Sequence, residues 1–166
     1  MSAQLKTDIR IEQEVFTEEL AAEMFPLAQA CWDESTLNKK DTCAYYGERD
    51  FIVEPDMERY KALAKAGLMV AVTLREATLK GYILGFTCRS LHHKKITCAS
   101  VDSIYMDPEY RSYTAVVCEK FEQSVSKLGA QIIGWPTHID GPVYKVLKAR
   151  GYVGDDVIME KRFVQR

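Results

Sequence analysis

A chain of 166 residues has the length of one domain with a sizeable core. Its 47% hydrophobic and 28% charged residues argue against a disordered chain, and its net charge of −2 argues against a strongly electrostatic nucleic-acid binder. Cys31, Cys43, Cys88, Cys98 and Cys118 are odd in number and form no C-x-x-C pair, which reads as reduced thiols rather than a disulfide frame or a zinc site. No apolar run is long enough for a membrane span, and Met1–Arg10 lacks the apolar core of a signal peptide. The expectation is a cytoplasmic protein with no membrane partner and no metal.

In chain order, Ile9 and Ile11 alternate with charge in Asp8–Val15, a half-buried first strand. Thr17 is an N-cap for a helix with Leu20, Met24, Leu27, Ala28 and Cys31 on one stripe; Glu18 and Glu19 suit its first turn. Pro26 inside this pattern predicts a kink or a split. Trp32–Val53 reads as a long loop whose Trp32, Tyr45, Tyr46 and Phe51 serve function or pin the loop to the core. Pro55 opens a second helix, Asp56–Ala66, with Met57, Tyr60, Leu63 and Ala64 apolar, and Gly67 ends it. Leu68–Leu74 is an apolar strand buried on both faces. Arg75–Lys80 is a turn, and Gly81–Cys88 is the next, antiparallel strand. Arg89–Lys95 is a basic hairpin loop whose adjacent His92 and His93 are poorly placed to share a metal.

Ile96–Met106 is the fourth strand, ended by Asp107-Pro108. Val117, Phe121, Val125 and Leu128 then recur at helical spacing up to Gly129. The N-terminus of that helix offers unpaired N–H groups to an anion, with Arg111 beside it and Ser112 or Thr114 as a cap. Ala130–Trp135 is a short fifth strand. Asp140-Gly141-Pro142 starts a last helix, with Val143, Val146, Leu147 and Ala149 apolar. Val153–Phe163 closes the sheet.

The run D-S-I-Y-M-D-P-E-Y-R-S-Y-T-A, Asp102 to Ala115, resembles the core motif of the GNAT superfamily of acyl-CoA-dependent N-acyltransferases. With the order of strands and helices, the resemblance covers Leu68 to Phe163. It implies an α/β (α+β) fold: a central mixed, mostly antiparallel sheet, splayed fourth and fifth strands and helices on both faces. The whole chain, 1–166, would be one such domain. The chain departs from the motif at Ser112 and Thr114, where the family has glycines, and Arg-Ser-Tyr-Thr-Ala resembles small phage-type members instead. The resemblance implies acetyl-CoA or a related acyl-CoA as co-substrate. Ile104, Tyr105, Met106, Arg111, Ser112, Tyr113, Thr114 and Ala115 would contact it.

Acyl transfer to an amine needs a base, a polarised carbonyl and a proton for the leaving thiolate. Asp102 shares the parity of Ile104 and Met106 and matches a position where the family has a glutamate. It reads as the base or as a structural strand partner. Tyr144 lies one helical turn before the position of the family's tyrosine acid and reads as that acid or as a packing residue; His138 is a further candidate. The acceptor is an amine on a protein, a nucleobase or a small molecule, and a homodimer stays open. The competing readings are a non-catalytic binding or regulatory protein on the GNAT fold and a nucleic-acid-modifying factor.

Overall fold

The computed structural model describes residues 8–37, 53–137 and 141–154. They divide into two compact units, Met1–Pro136 and Thr137–Arg166. The first unit is built on a sheet in the order β1 (Arg10–Glu14), β2 (Met69–Glu76), β3 (Thr78–Arg89), β4 (Thr97–Met106) and β5 (Ile132–Gly134). The first four strands are antiparallel; β5 is parallel to β4, pairing Cys98 with Ile132, Ala99 with Ile133 and Ser100 with Gly134. Past Ser100, β4 continues to Met106 without further pairing to β5, so the two strands part at their C-terminal ends.

Helices α1 (Glu18–Leu37), α2 (Met57–Lys65) and α3 (Thr114–Lys127) belong to this unit, and α4 (Pro142–Ala149) belongs to the second. Leu20, Ala21 and Met24 of α1, with Phe16, pack against Ala71, Leu79, Tyr82, Leu84 and Tyr105 of the sheet, joined by Met57, Tyr60 and Ala64 of α2. The opposite face receives the α3 stripe, where Val117, Phe121 and Val125 are fully buried as their spacing predicts. Leu128 instead lies past the helix end and is exposed. Gly85 serves this packing directly. A Cβ there would lie 2.7 Å from Phe121 Cζ and 2.6 Å from the Ser100 carbonyl oxygen, so β3 must be bare where the ring seats.

Thr17 caps α1 as expected, its Oγ1 accepting from the Leu20 N–H at 3.2 Å. Pro26 does not split the helix, which runs on to Leu37. Trp32–Leu37 is therefore helical rather than loop; Tyr45, Tyr46 and Phe51 lie outside the described residues. The cap of α2 is Asp56, whose Oδ1 accepts from the Arg59 N–H at 3.1 Å, and Pro55 precedes it. The expected turn at Arg75–Lys80 is much shorter. Glu76 pairs with Thr78 around Ala77, which takes a left-handed φ of 58°. Of the strand expected at Val153–Phe163, Val153 and Gly154 are described and are not extended into a ladder; the rest lies outside the described residues.

An ion cluster that the sequence does not announce ties β1, β2 and α1 together. Arg75 donates from Nε to Glu14 Oε1 at 2.6 Å and from Nη1 to Glu23 Oε2 at 2.7 Å, while buried Thr73 donates to Glu14 Oε1 at 2.5 Å. The Arg75 hydrogen bond is the main cause that holds the Glu14 carboxyl below its ordinary range.

Candidate active site

The site forms where β4 outruns β5. Opposite β3, Ser103 pairs with Leu84 but Val101 pairs with Gly85, so Asp102 is the extra residue of a β-bulge. The bulge breaks the strict alternation on which the sequence reading relied. Asp102 does not keep the side of Ile104 and Met106; it turns to the α1/α2 face, where Tyr60 of α2 reaches it.

Three successive β4 residues each engage a different element there. The Tyr60 hydroxyl donates to Asp102 Oδ2 at 2.6 Å. The hydroxyls of Tyr82 and Ser103 bond at 2.7 Å. The Cys31 thiol of α1 donates to the Ile104 carbonyl at 3.8 Å. Burial, with the neighbouring Asp102 carboxylate, raises the Tyr60 phenol above its ordinary range, and burial pushes Tyr82 up to about 12. Both phenols therefore stay protonated at neutral pH. Burial likewise raises the Cys31 thiol, with Glu34 adding to it.

A second patch surrounds Arg111. Its Nη2 donates to Glu34 of α1 and its Nε to the Met106 carbonyl at 3.4 Å. The Tyr105 hydroxyl also donates to Glu34, at 3.1 Å, and burial with this carboxylate pushes Tyr105 up to about 12.

The turn itself is wound. Pro108–Tyr113 is a 3-10 helix that runs directly into α3. The N–H of Tyr110 donates to the Asp107 carbonyl at 2.8 Å, and that of Thr114 donates to the Arg111 carbonyl. In a 3-10 helix each N–H is used three residues back, so of the groups expected to face an anion that of Thr114 is engaged along the chain. Neither Ser112 nor Thr114 caps α3. The N-cap is Tyr113, without a side-chain cap bond, and Thr114 Oγ1 donates to the Arg111 carbonyl at 2.7 Å.

The structure thus brings Asp102 and Ile104 into one patch, and Tyr105, Met106 and Arg111 into another around Glu34. Ser112 is exposed on the wound turn, with Tyr113 and Ala115 half-buried. Tyr144 belongs to the second unit, where its ring lies beside Gly154. His138 lies outside the described residues. Tyr60, Tyr82, Ser103, Cys31 and Glu34 were not predicted as site residues. Tyr60 read only as part of an apolar stripe, and its partner is 42 residues away.

No protein-family model matches the sequence, and no curated protein matches it. Solved structures do match. An aminoglycoside acetyltransferase from an uncultured soil metagenomic sample, in complex with sisomicin, has a TM-score of 0.67 at 10% identity, over 96% of this chain and 97% of its own. AAC(6')-Iy, in complex with the bisubstrate analog CoA-S-monomethyl-acetylneamine, has a TM-score of 0.64 at 11% identity, over 95% and 99%. The chain has the GNAT fold. A protein described as a transcriptional regulator, from Bacillus halodurans C-125, is similar to the same extent, with a TM-score of 0.65 at 13% identity over 93% and 100%.

Among the described residues no three His, Cys, Asp or Glu side chains gather to hold a metal ion, and no helix is long and apolar enough to cross a membrane.

Proposed function

We propose that the protein is a cytoplasmic N-acyltransferase, a single domain over 1–166 that moves an acetyl or related acyl group from acyl-CoA to an amine. The observation that carries this reading is Asp102, lifted out of the β3–β4 ladder by a bulge and held by Tyr60 beside the open edge of β4. When bound, acyl-CoA supplies an acyl group activated as a thioester. Asp102 accepts a proton from the acceptor ammonium, directly or through water, and so frees the nitrogen lone pair. The main-chain N–H groups around Ile104, Tyr105 and Met106 are the proposed contacts of the pantetheine arm and the thioester carbonyl. Arg111 supplies positive charge at the turn of Ser112, Tyr113, Thr114 and Ala115. The acceptor class is an amine on a protein, a nucleobase or a small molecule, and the Arg-Ser-Tyr-Thr-Ala turn keeps the phage-type resemblance.

Saturating acetyl-CoA tests the reading. At ~100 times its dissociation constant it should stabilise the fold by about 2.7 kcal/mol. Asp102→Asn should lower the transfer rate by roughly 10²-fold or more with acetyl-CoA affinity kept. Equal rates per folded molecule across the pH range would return Asp102 to a structural role.

One observation favours a second reading, a non-catalytic binding or regulatory protein on the same fold: the glycine-free turn is wound shut and Arg111 is tied to Glu34. Melting curves that do not move with acetyl-CoA would select it.

A further inference from the structure

Cys88 of β3 and Cys98 of β4 are direct cross-strand partners. Directly opposed residues project from the same face of a sheet, with Cβ atoms ~4.5–5.5 Å apart. Their Cα atoms are about 4.5 or 5.5 Å apart, depending on the pair type, and disulfides span ~4.4–6.8 Å. The Cβ separation in a disulfide is shorter, ~3.5–4.5 Å, so the strands must draw slightly together to close the link. A link formed under that strain is an easily reduced one.

The remaining features favour exchange chemistry at this pair. Cys88 is exposed and Cys98 half-buried, which gives an attacking thiol and a second thiol behind it. The pair lies at the loop end of the β3–β4 hairpin, just inside the Ser90 N–H bond to the Ile96 carbonyl. The loop beyond is exposed, and Arg89, Lys94 and Lys95 give it positive charge that draws in anions. The other described thiols have no such arrangement: Cys118 is wholly buried on α3, and Cys31 lies against β4 from α1.

We propose that Cys88 and Cys98 form a reversible disulfide by exchange with an anionic small-molecule disulfide. The Cys88 thiolate attacks one sulfur of that molecule, and its other half leaves as a thiolate. The Cys98 thiolate then attacks the Cys88 sulfur and expels the first half. Two protein thiols become one S–S bond, the small disulfide becomes two thiols, and the two protons pass to them. The link fastens β3 to β4 at the end where Cys98 also pairs with Ile132 of β5.

Oxidised glutathione is the probe, followed by peptide mapping under non-reducing conditions. The expected result is a Cys88–Cys98 peptide, two fewer alkylatable thiols and full reversal by dithiothreitol. Oxidation should raise the melting temperature of the wild type and leave that of Cys88→Ser and of Cys98→Ser unchanged. A glutathione adduct that persists on Cys88, a link to another cysteine, or no loss of thiols would overturn the proposal.

Discussion

Removing the Tyr60 hydroxyl and removing the Asp102 carboxylate are unequal perturbations of one bond. The two groups meet at 2.6 Å, but their surroundings differ. Asp102 is exposed, so in Tyr60→Phe water can take over at Oδ2. The phenylalanine ring keeps the packing against Phe16, whose centroid is 5.5 Å from that of Tyr60. The loss is then only the net worth of a hydrogen bond, about 1 kcal/mol. In Asp102→Ala the phenol stays behind, half-buried, and pays the desolvation of an unmet donor, about 1–3 kcal/mol. Asp102→Ala should therefore cost more than Tyr60→Phe. The double variant should cost less than the sum by roughly 1 kcal/mol, since contacting residues are not additive. Urea unfolding followed by circular dichroism at constant m-value measures all three. Tyr60→Phe costing as much as Asp102→Ala, or strict additivity, would refute the reasoning.

Glu14 makes stability depend on pH with a definite sign. Its folded pKa lies below the ordinary 4.5, so its contribution is fully present above 4.5 and is lost as pH falls through the folded value. Arg75→Met should cost about 1–2 kcal/mol at neutral pH, below the range for a fully buried pair because Glu14 and Glu23 keep solvent contact, and the gap to wild type should narrow in acid denaturation series. Gly85→Ala should destabilise by ~1–3 kcal/mol, because the added carbon meets a carbonyl and a buried ring; a neutral result in thermal melts would mean Phe121 can withdraw. Ser112→Gly should cost under ~1 kcal/mol and, by loosening the wound turn, tighten acetyl-CoA binding in calorimetry. A large loss of affinity with the fold intact would assign the serine hydroxyl to the phosphate.

What was legible in the sequence is what a single element decides alone. The Leu68–Leu74 run reads as buried because it is nearly continuously apolar, and Val117, Phe121 and Val125 reveal their face through spacing. The order of strands and the parallel fifth strand followed from the resemblance and are present. What could not be read depends on a partner elsewhere in the chain. Whether Asp102 alternates or bulges is settled by Gly85 and Leu84 across the ladder. Tyr60 faces Asp102 only once α2 is laid on the sheet. Pro26 looks like a helix breaker locally, yet the residues on both sides of it, Met24 and Leu27 among them, are packed against the core cluster. Arg75 reads as a turn residue until two glutamates from β1 and α1 arrive around it.

The helical run from Pro108 through Lys127 carries no break at the point where an anion would be received. A ligand that needs the Thr114 N–H has to wait until the turn is unwound. The observed association rate would then rise with ligand concentration only at first and level off at the unwinding rate, whatever the diffusional encounter allows. Equilibrium affinity would be reduced by the fraction of molecules with the turn open. Winding of the turn, more than charge, would set the tempo of this site.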